Sequence, residues 1–207
     1  MRSRTLIIAC GALAHEIVEL RRANGWSAFD VQCLPPELHN HPQRIPAAVQ
    51  AQIAQHRDRY REIFVAYGDC GTGGMLDAVL AAEGVERLPG AHCYEAFATA
   101  RVFAELSEAE PGTFYLTDFL LRHFDRLVTR GLGLDRHPEL AGEYFRHYRR
   151  LVYLAQREHP EAHARARAIA AAMGLEFHYR FTGYGELGRK LAILHDRRGA
   201  RPRPWPL

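Results

Sequence analysis

Lysine is almost missing from this chain. Lys190 is the only one in 207 residues, so nearly all of the 27 basic side chains are arginines. With no lysine near the glycines at 68–74, the phosphate loop that pairs a glycine-rich turn with a lysine is excluded. Long apolar runs are also absent: none approaches the roughly 18 residues a membrane-spanning helix needs. The apolar stretch after Met1 is too short for a secretory signal, which points to a cytoplasmic protein without membrane contact. Charge of one sign is scarce too, the net charge being only +3 before twelve histidines are considered. No helix-turn-helix, RRM or KH pattern accompanies it, so nucleic acid is not an expected partner. Cysteine is limited to four residues, Cys10, Cys33, Cys70 and Cys93. A cytosolic chain of this length does not depend on disulfides, so these cysteines read as ligands, reactive thiols or small core residues.

What is present is a regular alternation. Thr5 to Cys10 is a β-branched apolar run, and Ala12 to Ala23 carries apolar residues at helical spacing. The same pair recurs as a strand from Ala28 to Leu34 with a helix from Pro46 to about Tyr60. It returns as a strand from Ile63 to Tyr67 with a helix from Met75 to Glu83. Val85 to Leu88, a helix from Tyr94 to Leu106 and a strand at Phe114 to Thr117 continue the series. Such alternation with short links predicts an α/β fold: an open, mostly parallel Rossmann-like sheet with helices on both faces. The last third reads as helical over Asp118–Arg130, Glu139–Gln156 and Glu161–Met173, with an edge strand over Leu175–Phe181. One domain is expected over residues 1–195, followed by a basic Pro/Arg-rich tail over 196–207 that reads as solvated.

In open α/β sheets, ligands bind outside the carboxyl ends of the strands. Three cysteines fall there: Cys10 after the first strand, Cys70 after the third, and Cys93 after the fourth. Cys33 lies inside the second strand and reads as core. Thiolates suit zinc, and a catalytic zinc keeps three protein ligands and one open position, so Cys10, Cys70 and Cys93 are candidate metal ligands. An iron–sulfur cluster with three cysteines is the variant, because ligand softness does not choose between them. Packing of buried thiols is the competing structural reading. His92, His39 and Glu95 are the candidate proton carriers, at the same edge. Gly68 and Gly71 would let backbone approach a cofactor closely, Tyr67 would shape the pocket, and Thr117 would present a hydroxyl at the end of the fifth strand.

Five short stretches occur in order: Ile8-Ala9-Cys10 with Glu16, Leu38-His39-Asn40 with Pro42, Tyr67-Gly68-Asp69-Cys70-Gly71, Ala91-His92-Cys93, and Pro111 through Thr117. Together they resemble the family known as DUF1638, a domain of unknown function, over roughly residues 5 to 190. The resemblance implies an association with corrinoid-dependent methyl transfer, which would suit a thiolate zinc site. The chain departs from the family pattern where an aspartate usually separates the histidine from the cysteine of Ala91-His92-Cys93, and in the Tyr94–Thr99 stretch that follows. The resulting expectation is a cytosolic metal-binding enzyme that acts on a small-molecule substrate by methyl or other one-carbon transfer, linked to a corrinoid methyltransferase system. The alternative is a non-catalytic metal or cofactor carrier that serves such a methyltransferase.

Overall fold

The structure is a computed structural model and describes residues 4–197. The expected basic tail lies outside the described residues from 198 onward. In chain order the elements begin with β1 (Thr5–Cys10), α1 (Ala14–Ala23), β2 (Phe29–Leu34), α2 (Ile45–His56) and β3 (Glu62–Ala66). There follow α3 (Met75–Glu83), β4 (Glu86–Arg87), α4 (Cys93–Ala98) and α5 (Ala100–Ala109). Then come β5 (Thr113–Thr117), α6 (Asp118–Arg122), α7 (Ala141–Phe145), β6 (Arg150–Ala155), α8 (Pro160–Ala172), β7 (Glu176–Phe181) and α9 (Gly185–Asp196). The chain divides into two compact units, one built from residues up to 96 together with those from 184, the other from 97–183. No helix among the described residues is long and apolar enough to cross a membrane.

The first unit holds a four-stranded sheet in the order β2-β1-β3-β4, parallel throughout, with Ile7 beside Val31 on one flank and Phe64 on the other. All six residues of β1 are buried, as expected of a central parallel strand that makes contacts on both faces. Ile7, Ile8, Phe64 and Val65 from the strands, with Ile17, Val49, Ile53, Leu80 and Leu191 from the helices, form its core. Each such apolar side chain contributes about 1.5–3 kcal/mol on burial. The second unit holds a three-stranded parallel sheet in the order β5-β6-β7. Its core gathers Leu116, Leu121, Leu151, Tyr153, Ala166 and Ala170. Arg150, buried at the start of β6, donates to Thr113 Oγ1 at 2.8 Å and to the Leu106 carbonyl, which fixes β6 beside β5 and the end of α5.

The α/β class and the all-parallel strand pairing agree with the sequence reading, and several elements differ. The strand expected at Phe114–Thr117 belongs to the second sheet, not to an extension of the first. The helix expected over Glu139–Gln156 is overturned in its second half, because Arg150–Ala155 is the fully buried central strand β6. A short, continuous apolar run carries no period that separates a buried strand from a buried helix. The helix expected over Tyr94–Leu106 is broken at Thr99, whose φ of +68° no helix tolerates and whose hydroxyl accepts from Val102 N to start α5. Cys33, expected in the core, is exposed: β2 is the edge strand, and its residues 32 and 33 face solvent.

Candidate functional site

The first sheet's carboxyl edge is assembled by close backbone approach. After β1 the chain turns at once into a short 3-10 segment, and the Cys10 sulfur accepts from Ala12 N at 3.3 Å. Gly11 sits so close to the end of β2 that a Cβ there would lie 2.8 Å from Pro36 Cδ and 3.0 Å from the Leu34 carbonyl. That contact brings the Pro36–Asn40 turn, and His39 within it, against Cys10. His39 Nδ1 lies 3.7 Å from Cys10 Sγ and 3.2 Å from the Pro36 carbonyl oxygen. Its ring stacks on Tyr67, with centroids 6.3 Å apart and planes 14° from parallel.

The loop after β3 is held by two backbone hydrogen bonds to the loop after β4, from Asp69 N to Gly90 O at 3.0 Å and from Cys70 N to Ala91 O at 2.7 Å. Gly68 permits this approach, since a Cβ there would come within 3.0 Å of the His92 backbone. Cys70 itself takes the left-handed conformation, φ +51°, and Gly71 follows at +83°. A non-glycine residue in that region is strained, and here the surrounding hydrogen bonds impose it. Asp69 accepts from Thr72 Oγ1 at 2.6 Å, Gly73 N at 3.1 Å and Gly74 N at 2.9 Å, which ties the glycine turn together. Those bonds, that of Thr72 first, hold its carboxyl down to about 2. On the other loop, Glu95 Oε1 accepts from Ala91 N at 2.7 Å, and Arg87 donates to the Leu88 and Gly90 carbonyls.

Cys10, Cys70, Cys93, His39 and Tyr67 thus share one interacting cluster. Cys70 is held down to about 4, first by the hydrogen bond from Cys93, with burial opposing and His39 adding to the effect. Cys93 is pushed well up, by the same hydrogen bond and by burial. Burial alone would lower His39, but its Cys10 and Cys70 partners outweigh that and raise it to about 11. The three shifts describe one charge distribution: a Cys70 thiolate, a His39 imidazolium and a neutral Cys93 thiol that donates to the thiolate. Burial, followed by the charge of Cys10, pushes the Tyr67 hydroxyl far up. Among the described residues neither that buried hydroxyl nor the buried His39 Nε2 has a partner in good hydrogen-bond geometry.

Of the residues the sequence singled out, the fold therefore joins Cys10, Cys70, Cys93, His39 and Tyr67. Gly68 and Gly71 shape the loops around them. His92 is exposed, and Glu95 closes its own loop. Thr117 belongs to the second unit, where its hydroxyl accepts from Leu120 N at the start of α6. As the groups stand, they are hydrogen-bonded to one another; among the described residues no three His, Cys, Asp or Glu side chains are grouped so that they could hold a metal ion. The donor set nonetheless has the chemistry of a zinc site, with three sulfurs, one imidazole and a buried ring nitrogen to spare. One contributor is not among the site residues expected from the sequence: Asp69 organises the turn that presents Cys70. Its signal is the Thr72 hydroxyl and the glycines at 73 and 74 that follow it.

A family model described as a protein of unknown function, DUF1638, matches residues 33–191. No curated protein and no solved structure matches the chain.

Proposed function

We infer the function from two premises: the chain belongs to the DUF1638 family, and its first sheet converges three cysteines and a half-buried histidine at one edge. The reading they support is a cytoplasmic zinc-binding enzyme of small-molecule methyl or one-carbon transfer, working with a corrinoid methyltransferase system. The convergence of Cys10, Cys70, Cys93 and His39 carries it. Cys10, Cys70 and Cys93 would hold the ion, with His39 beside them. When bound, zinc supplies Lewis acidity that lowers the pKa of a substrate thiol. His39 is placed to hold or return a proton at Nδ1 or Nε2, and the Tyr67 ring beneath it fixes its plane. Burial of Cys10 and Cys70 keeps water from their sulfurs.

The test is metal analysis of protein purified without oxygen, paired with a methyl-transfer assay from a methylated corrinoid to a small thiol. One equivalent of zinc, lost in Cys70→Ser and kept in Cys33→Ala, supports the site. Iron with a visible absorption band would replace zinc by the iron–sulfur variant, and zinc without turnover would favour the carrier. No metal in wild type removes the metal reading. A second reading then stands on the Cys70–His39 charge pair, the arrangement of an activated thiol nucleophile. It predicts that Cys70 is alkylated by iodoacetamide far faster than Cys33 at pH 6, despite its burial, and equally fast in the presence of a chelator.

A further inference from the structure

The second unit carries a cavity of about 400 Å3 outside the carboxyl ends of β5 and β6, within the range of small-molecule sites. Three guanidinium groups from three segments line it: Arg122 at the end of α6, Arg157 in the β6–α8 loop and Arg165 in the second turn of α8. Several arginines elsewhere in the chain pair with carboxylates, as Arg4 does with Asp30, Arg87 with Asp77 and Arg146 with Glu143. None of the side chains of Arg122, Arg157 and Arg165 has a hydrogen bond or ion pair among the described residues. Three like charges around one hollow repel each other until an anion enters.

The cavity's own carboxylates do not fill that role. Asp118 is already engaged: it accepts from the Tyr153 hydroxyl at 2.7 Å, Gln156 N at 3.2 Å and Arg157 N at 3.1 Å. Those bonds lock the loop after β5 to the loop after β6, so the main chain that carries Arg157 is fixed in advance. Glu161 is exposed in the first turn of α8. That helix has 13 residues, starts with Pro160 and receives no side-chain cap from His159, so its dipole and first backbone N–H groups add positive potential to the arginines.

We propose that this cavity binds a small phosphate-bearing molecule, with a phosphomonoester dianion held among Arg122, Arg157 and Arg165 at the start of α8. Guanidinium forks match the several equatorial oxygens of a phosphate, which one carboxylate cannot supply. The volume exceeds what a phosphate alone would fill, and Leu121, Tyr153 and Ala162 offer the rest to an organic portion. The site lies within the second unit and does not rest on the thiol cluster.

The test is calorimetric titration of the full chain, at constant ionic strength, with inorganic phosphate, adenosine monophosphate as a phosphomonoester, and succinate. Both phosphates should bind, the ester more tightly, and succinate should bind more weakly than either. Each of Arg122→Gln, Arg157→Gln and Arg165→Gln should weaken phosphate binding by about tenfold, since a charged hydrogen bond is lost. Melting temperature without ligand should be unchanged, as all three residues are exposed. Arg130→Gln, an exposed arginine outside the cavity, should bind like wild type. Absence of binding by both phosphates, equal binding of succinate, unaltered affinity in the three variants, or an equal loss in Arg130→Gln would each overturn the proposal.

Discussion

The two sheets end differently, although both are parallel and both pass from strand through loop to helix. At the first sheet the end of β1 and the loop after β3 bring Cys10 and Cys70 together in the interior, both buried. At the second, the loops after β5 and β6 deliver Asp118 and Arg157 to an open hollow rimmed by exposed arginines. Sulfur can be enclosed at little cost, because a thiol is weakly polar and its charge here is met by His39. Guanidinium groups cannot be enclosed without partners, so they stand where water reaches them. One architecture thus offers two edges of opposite character, and burial is the variable that separates soft-donor chemistry from anion recognition.

The comparison can be sharpened by removing what the two sheets share. Ile7 in β1 and Leu151 in β6 are both fully buried on central strands. Ile7→Ala and Leu151→Ala should each cost about 2–5 kcal/mol in urea denaturation followed by circular dichroism. A cost under about 1 kcal/mol in either would mean that its sheet is not a packed core. A smaller effect tests whether the edges are chemically separate. Cys70→Ser should reduce zinc affinity by about 100-fold or more, while phosphate affinity stays within about twofold of wild type. A parallel fall in both would break the division between the two edges.

Asp118→Ala should destabilise by about 1–3 kcal/mol, because the Tyr153 hydroxyl and two backbone N–H groups lose their acceptor. The loss should appear in thermal melts without altering zinc stoichiometry. The smallest effect is expected at Asp77, half exposed, whose carboxylate accepts twice from Arg87. Those bonds, more than the opposing burial, hold its pKa below the ordinary value. Its contribution is therefore present above about pH 4 and lost as pH falls through the lowered folded pKa. Asp77→Asn should cost about 0.2–1 kcal/mol at pH 7. The difference from wild type should vanish in melts at low pH.

How much could be read beforehand differs between the same two regions. β1 and α3 occupy the residues expected of them, because β-branched residues crowd the strand and Gly84, at φ +63°, ends the helix. The cysteine edge followed from that order, since each thiol comes just after a strand. His39 reads from the sequence as a candidate proton carrier in a loop at the same edge; its contact with Cys10 depends on the Gly11–Pro36 approach, which no local pattern encodes. The arginine cavity was hidden for another reason. Reading Leu151–Ala155 as helix placed Arg157 beyond a helix rather than at a strand's carboxyl end, where a ligand edge would have been sought.

The two backbone hydrogen bonds from Asp69 and Cys70 to Gly90 and Ala91 also bear on time. They extend a ladder that β3 and β4 begin with only two paired positions, so residues without strand geometry share the protection of a sheet. The Cys70 amide, in a loop by conformation, should exchange its hydrogen with solvent at the pace of the neighbouring strands. The placing of Cys70 in this protein is therefore kept by main chain, and it persists through side-chain rotations that take place in nanoseconds.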